Sequence, residues 1–136
     1  MYRVSRQIDF CYGHRLLNYQ GKCRHLHGHN GRAIITIESS GLDESGMVLD
    51  FSDIKRIVSQ WIDEHLDHRM ILKRDDPAVP LLQKLGEPLF LMDANPTAEN
   101  IARLIFDHAR LQGFPVVEVI LWETPNCFAT YQGDGG

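Results

Sequence analysis

The chain has 136 residues and a formal net charge of −4, with 43% hydrophobic and 24% charged residues. Those proportions exclude a disordered or fibrous protein, and the length fits one domain over residues 1–136 with no room for a second core. The acidic balance offers no footprint for a nucleic-acid backbone. No apolar run is long enough to span a bilayer, and no signal-peptide core follows Met1, so neither nucleic acid nor membrane is an expected partner and the cytoplasm is the expected compartment.

Residues 2–10 and 32–39 are rich in β-branched side chains and predict two strands flanking a histidine cluster, joined by an irregular loop. Residues 41–46 read as a polar turn. With Ser52 as N-cap, the spacing of Ile54, Ile57, Val58, Trp61, Ile62 and Leu66 predicts an amphipathic helix running into Asp67-His68. Pro77, Pro80, Gly86 and Pro88 then interrupt any long helix, with Leu89-Phe90-Leu91-Met92 pairing or packing briefly. A second helix is expected from Asn95-Pro96-Thr97, capped by Asn95 or Thr97, with Ile101, Ala102, Leu104, Ile105 and Ala109 inward to about Gly113.

Residues 116–123 alternate Val117, Val119 and Leu121 on one face with Glu118, Ile120 and Trp122 on the other, and Pro125-Asn126 turns the chain into a last strand over 127–132. The order β-β-α-α-β-β predicts an α+β fold, an antiparallel sheet with both helices on one face. Gly133 to Gly136 read as a frayed tail.

The chemistry concentrates in Cys23-Arg24-His25-Leu26-His27-Gly28-His29, a few residues after His14. Side chains two apart on an extended segment share a side, so His27 and His29 can converge on one ion, and His14 across the hairpin is the natural third ligand. Three imidazoles suit Zn²⁺ and leave a fourth position open for water or substrate, which suggests catalysis. His25 has the same alternation and competes as a ligand. In a rival reading Cys23 supplies a fourth ligand and closes the site structurally.

Three cysteines, Cys11, Cys23 and Cys127, make an odd number at irregular spacing and read as free thiols in a reducing compartment. Cys23, beside Arg24 and a nearby dication, is the candidate nucleophile or proton acceptor, whereas Cys11 and Cys127 read as buried apolar residues. Asp67-His68 closes the first helix, where the dipole and the carboxylate favour an imidazolium able to exchange protons with a thiolate; a surface cap is the plainer alternative. His65 and His108 read as solvated helix residues. Glu123, beside Trp122, either faces solvent or accepts paired hydrogen bonds from a planar ligand; Thr97 and Glu99, at the second helix start, are candidate capping residues, Glu99 above all.

Six segments taken together, Phe10-Cys11-Tyr12-Gly13-His14, Cys23-x3-His27-Gly28-His29, Gly46-Met47-Val48-Leu49-Asp50-Phe51, Leu66-Asp67-His68, Pro96-Thr97-Ala98-Glu99-Asn100 and Glu123-Thr124, resemble the 6-pyruvoyltetrahydropterin synthase/6-carboxytetrahydropterin synthase family in the family's order. The resemblance implies the tunnelling fold, assembled as a homo-oligomer, usually a hexamer of two trimers, with active sites between subunits. It also implies His14, His27 and His29 as Zn²⁺ ligands, Cys23 as general base with Asp67 and His68 as its relay, and Glu123 as the anchor of a pterin ring with Thr97 near the same pocket.

The implied substrate is 7,8-dihydroneopterin triphosphate. The gap of three residues between Cys23 and His27 is similar to the carboxy-forming enzymes of queuosine synthesis, in which triphosphate leaves and carbon–carbon cleavage releases acetaldehyde; pyruvoyl-forming enzymes typically have a longer gap. A non-catalytic zinc- or pterin-binding protein of the same fold is the alternative from another class. Lys22, Arg24, Arg15, Arg69 and Lys73 are the candidate partners of the triphosphate. The stretch between His68 and Pro96 is longer than in compact family members, and Arg69-Met70-Ile71-Leu72 matches the family only loosely.

Overall fold

The computed structural model describes residues 1–134. The alternation Ile8, Phe10, Tyr12 continues one step further to His14, and all four side chains are buried on one face of β1 (Tyr2–His14). It pairs along its whole length with β2 (His27–Ser39), Tyr2 opposite Ser39 and His14 opposite His27. The expected strands are therefore longer, and the histidines lie on them rather than on the joining loop. A single turn of 3₁₀ helix at Lys22–Arg24 tops the hairpin.

The expected first helix is present in three stretches: α1 (Phe51–Ile54), a π-helical turn at Lys55–Ser59 and α2 (Gln60–His65). Its N-cap is Asp50, whose carboxylate accepts the Ser52 N–H, not Ser52. Ile54, Val58, Ile62 and Leu66 are all fully buried at intervals of four. On an ordinary α-helix each such interval drifts by about 40°; a wider π turn absorbs that drift and keeps the stripe on the core. His65 and His108 depart from the solvated expectation, since both imidazoles stack on the Trp61 indole at 5.1 and 4.2 Å between ring centres.

Residues 69–92 hold most of what the pattern did not predict. β3 (Arg69–Lys73), α3 (Ala78–Lys84) and β4 (Leu89–Met92) form a strand-helix-strand unit. Pro77 and Pro80 lie at the helix start, where amide hydrogens have no intrahelical partner, so they permit a short helix, and no long one forms. Gly86, at φ 79°, terminates it.

The sheet order is β4-β3-β1-β2-β5-β6, with β5 (Val116–Thr124) and β6 (Cys127–Tyr131) as the expected final hairpin. The β1–β3 and β3–β4 pairs are parallel and the rest antiparallel, so the α+β sheet is mixed rather than wholly antiparallel. Parallel neighbours need a crossover, and the two helical connections supply it.

α4 (Ala98–Leu111) is capped by Thr97, whose hydroxyl accepts the Asn100 N–H, and buries Ile101, Ala102, Ile105, Phe106 and Ala109 against the sheet. A register shift between Thr36 and Ile37 places Val116, not Val117, in the core with Val119 and Leu121. Asp134 is tied to Tyr131 and Arg103 rather than frayed, and Gly135 and Gly136 lie outside the described residues. Among the described residues, no helix is long and apolar enough to cross a membrane.

Candidate metal centre

Directly opposed residues of an antiparallel pair share a face. His14 opposes His27, Tyr12 opposes His29, and His27 and His29 are two apart, so register alone brings three imidazoles together. Their ring centres lie 4.5, 5.1 and 5.1 Å apart, and one nitrogen from each falls within 4.8 Å of the other two. At Gly28 a Cβ would come 3.2 Å from the Tyr12 carbonyl oxygen, so glycine permits the strands to approach closely between two ligands.

Two backbone carbonyls set the ring tautomers. His14 Nδ1 is 2.6 Å from the Pro96 oxygen and His27 Nδ1 is 2.7 Å from the His25 oxygen. A carbonyl only accepts, so both rings carry their hydrogen on Nδ1 and present a bare Nε2, the arrangement that metal-ligating histidines adopt. His14 Nε2 is buried with no hydrogen-bond partner among the described residues. An orphaned buried lone pair facing two further imidazoles fits a divalent cation. Burial foremost lowers the His14 pKa, and His27 and His29 add to that, while Pro96 and Glu123 oppose it. The free ring is thereby held neutral and ready to ligate. His25 contributes only its carbonyl; its own Nε2 accepts from Arg24.

Glu123 lies on the same side, with Oε1 4.0 Å from His14 Nε2 and 3.3 Å from the Tyr12 hydroxyl, which donates to it. Burial first, then the charge and hydrogen bond of Glu123, drive the Tyr12 pKa upward, so the phenol stays a donor. A cleft lined by Phe10, His29, Gly31, Arg32, Trp122 and Glu123 opens beside the centre. A Cβ at Gly31 would meet the Tyr12 ring at 2.9 Å. Tyr12 was absent from the sequence-derived site, although its position two residues before His14 on the same alternating face carries the signal.

Asp67 and His68 are together, but not with Cys23. The Asp67 carboxylate accepts the Cys11 N–H at 3.0 Å and His68 Nδ1 at 2.8 Å. Burial raises the Asp67 pKa, yet these hydrogen bonds outweigh it and hold the group below the ordinary carboxylate value. Cys11, expected as an inert buried residue, is half-buried and grouped with Asp67 and His68, whereas Cys23 belongs to neither cluster of ligating groups. Cys11 alternates with Tyr12 and His14, so its side chain lies on the opposite face of β1. Cys23, at the hairpin tip, is joined to β1 by its carbonyl, which accepts the Leu16 N–H at 2.8 Å.

The segment after His14 is clamped by Asp76 from the unpredicted stretch and by Asn95 just before α4. Arg15 donates two hydrogen bonds to the buried carboxylate of Asp76, so it is engaged internally rather than free for a phosphate. The Asn95 side chain both donates to and accepts from the Leu17 backbone, at 3.0 Å each. Thr97 acts as the helix cap that fixes Pro96 and hence His14; it does not line the Glu123 cleft. Replacing Arg15 with alanine strands the Asp76 charge, and the expected cost is about 3–5 kcal/mol by urea unfolding. Arg15 hydrogen bonding foremost lowers the Asp76 pKa from 3.8. The folded state therefore holds its proton more weakly than the unfolded chain, so this stabilisation is present above pH 3.8 and is lost as pH falls through the folded value. Urea midpoints measured down through that range should fall more steeply in wild type than in Arg15→Ala.

The sheet, the helices on its face and the three-histidine centre define a tunnelling-fold protein with a site able to hold a metal ion. The chain belongs to the 6-pyruvoyl tetrahydropterin synthase family, whose sequence model matches residues 3–134. It is 42% identical over 135 residues to the 6-carboxy-5,6,7,8-tetrahydropterin synthase of Rickettsia conorii, covering 94% of this chain and 98% of that one. The synthase of the same name from Haemophilus influenzae is 38% identical over 141 residues, covering 97% and 99%. Among solved structures, an uncharacterized protein from Wolinella succinogenes superposes with a TM-score of 0.82 at 30% identity over 98% of each chain. The 6-pyruvoyl tetrahydropterin synthase of Caenorhabditis elegans gives 0.74 at 26% identity over 98% and 96%.

Proposed function

We propose that this chain is a 6-carboxy-5,6,7,8-tetrahydropterin synthase, a zinc-dependent lyase converting 7,8-dihydroneopterin triphosphate into 6-carboxytetrahydropterin, acetaldehyde and triphosphate for queuosine synthesis in the cytoplasm. The observation that carries the reading is the three-histidine centre, two of its bare Nε2 atoms fixed by backbone carbonyls, with Glu123 4.0 Å from one ring. Near-full-length relatives that carry this name support it.

His14, His27 and His29 would hold Zn²⁺, which when bound supplies a Lewis acid that makes a substrate hydroxyl more acidic. The Glu123 carboxylate accepts paired hydrogen bonds from the guanidine-like edge of the pterin, and Tyr12 orients it. Cys23 takes and returns protons along the substrate side chain. Because Asp67 and His68 lie beside Cys11 and not Cys23, the relay reaches Cys23 from another copy, in keeping with a homo-oligomer, a hexamer in our reading. Lys22 and Arg24, beside Cys23 on the hairpin tip, are the nearest cations in sequence for the triphosphate.

Mass spectrometry of products from the zinc-loaded protein and 7,8-dihydroneopterin triphosphate tests the reading. Carboxytetrahydropterin with acetaldehyde is the expected result, absent from a Cys23→Ala control. A pyruvoyl product would assign the other activity of the family, and no Cys23-dependent product would sink both.

A further inference from the structure

Among the described residues, one other group of ligating side chains converges outside the histidine centre. Cys11 Sγ, an Asp67 oxygen and a His68 nitrogen lie within 4.8 Å of one another, as closely as the three histidines do. The arrangement is built rather than incidental. The Cys11 N–H donates to Asp67 at 3.0 Å and the His68 N–H donates to the Cys11 carbonyl at 2.7 Å, so strand and helix end are locked together. His68 adopts φ 57°, a conformation uncommon outside glycine, which turns the chain back to make these contacts.

We propose that Cys11, Asp67 and His68 form a second site for a borderline-soft divalent cation, zinc above all, distinct from the three-histidine centre. One thiolate, one carboxylate and one imidazole are a donor set that zinc accepts, and hard cations such as magnesium do not favour sulfur. Cys11 and the histidines lie on opposite faces of the sheet, so the two sites do not share ligands. The adjacent cation, Arg69, is turned away: its guanidinium donates to the Glu64 and Leu89 carbonyls. The cluster borders a cleft walled by Leu26, Met70, Leu82, Leu85 and Pro88, with room for a water in the fourth position.

Binding replaces the Cys11 S–H bond with a metal–sulfur bond and releases one proton to solvent. A bound ion would immobilise Asp67 and His68; resting on the relay role given above, this predicts that zinc beyond the first equivalent inhibits turnover. Ion binding itself does not depend on that role.

Titration of the metal-free protein with Co²⁺ tests the site without reference to activity. Two equivalents per chain are expected, the Cys11-dependent one bringing a thiolate-to-cobalt absorption band and one released proton. Cys11→Ser should bind one equivalent and lose the band, its retained equivalent reporting an intact fold, while Cys23→Ser should keep both. Asp67→Ala should weaken the same equivalent. A single equivalent in wild type, or a band lost with Cys23 and kept without Cys11, would overturn the proposal. The latter outcome would make Cys23 the fourth ligand of the histidine centre.

Discussion

Replacing His14 with alanine is expected to remove the equivalent of metal held by the histidine centre, measured by metal analysis after dialysis, and with it turnover, leaving only the Cys11-dependent equivalent. Losing an outer-shell partner of a metal ligand typically costs about 10–100-fold in affinity, and losing one of three ligands costs more. His14 is also the most enclosed of the three, with 3% of its surface exposed, so a solvent ligand substitutes for it poorly. The fold should survive. The change leaves the Pro96 carbonyl without its 2.6 Å partner, at an expected cost of about 1–3 kcal/mol. His25→Ala is the control: its carbonyl, not its ring, holds His27, so metal content should be unchanged. Undiminished metal content in His14→Ala, or metal lost in His25→Ala, would reassign the ligands.

Cys23→Ala should lower turnover by about 10²–10⁴-fold, the range for a positioned general base, with metal content intact. His68→Ala should fall by a similar factor, although the two residues are not neighbours within a chain. If each site joins Cys23 of one copy to Asp67 and His68 of another, the two inactive variants complement each other. Co-expressed as a mixed oligomer, they should recover a measurable part of wild-type activity. A mixture as inactive as either variant would place both residues in a site built by one chain. Loss of metal in Cys23→Ala would instead support the closed structural site.

The histidine centre was legible because it depends on local rules. Period-two alternation puts His27 and His29 on one side, and a hairpin of equal arms brings His14 opposite. The core stripe of the first helix was legible from its spacing, although the π turn that keeps it in line was not. Leu89–Met92 was legible as a short pairing segment, but residues 69–88 were not, because β3 is only five residues long and the prolines lie in a helix's first turn, where they are harmless. Arg15 illustrates the limit for charged groups: nothing near it in sequence discloses that Asp76 folds over to bury against it.

The α+β class, the two hairpins, the first and last helices and the three imidazoles were readable in the amino-acid sequence, because each rests on propensity, periodicity or a spacing of a few residues. Folding of the whole chain was needed to reveal that the sheet is mixed, that Pro96 and His25 carbonyls fix the ring tautomers, that Tyr12 holds Glu123, and that Asp67 and His68 stand beside Cys11 instead of Cys23. Those contacts join residues up to 111 positions apart. They follow from strand order and register across the whole sheet, which no local pattern encodes.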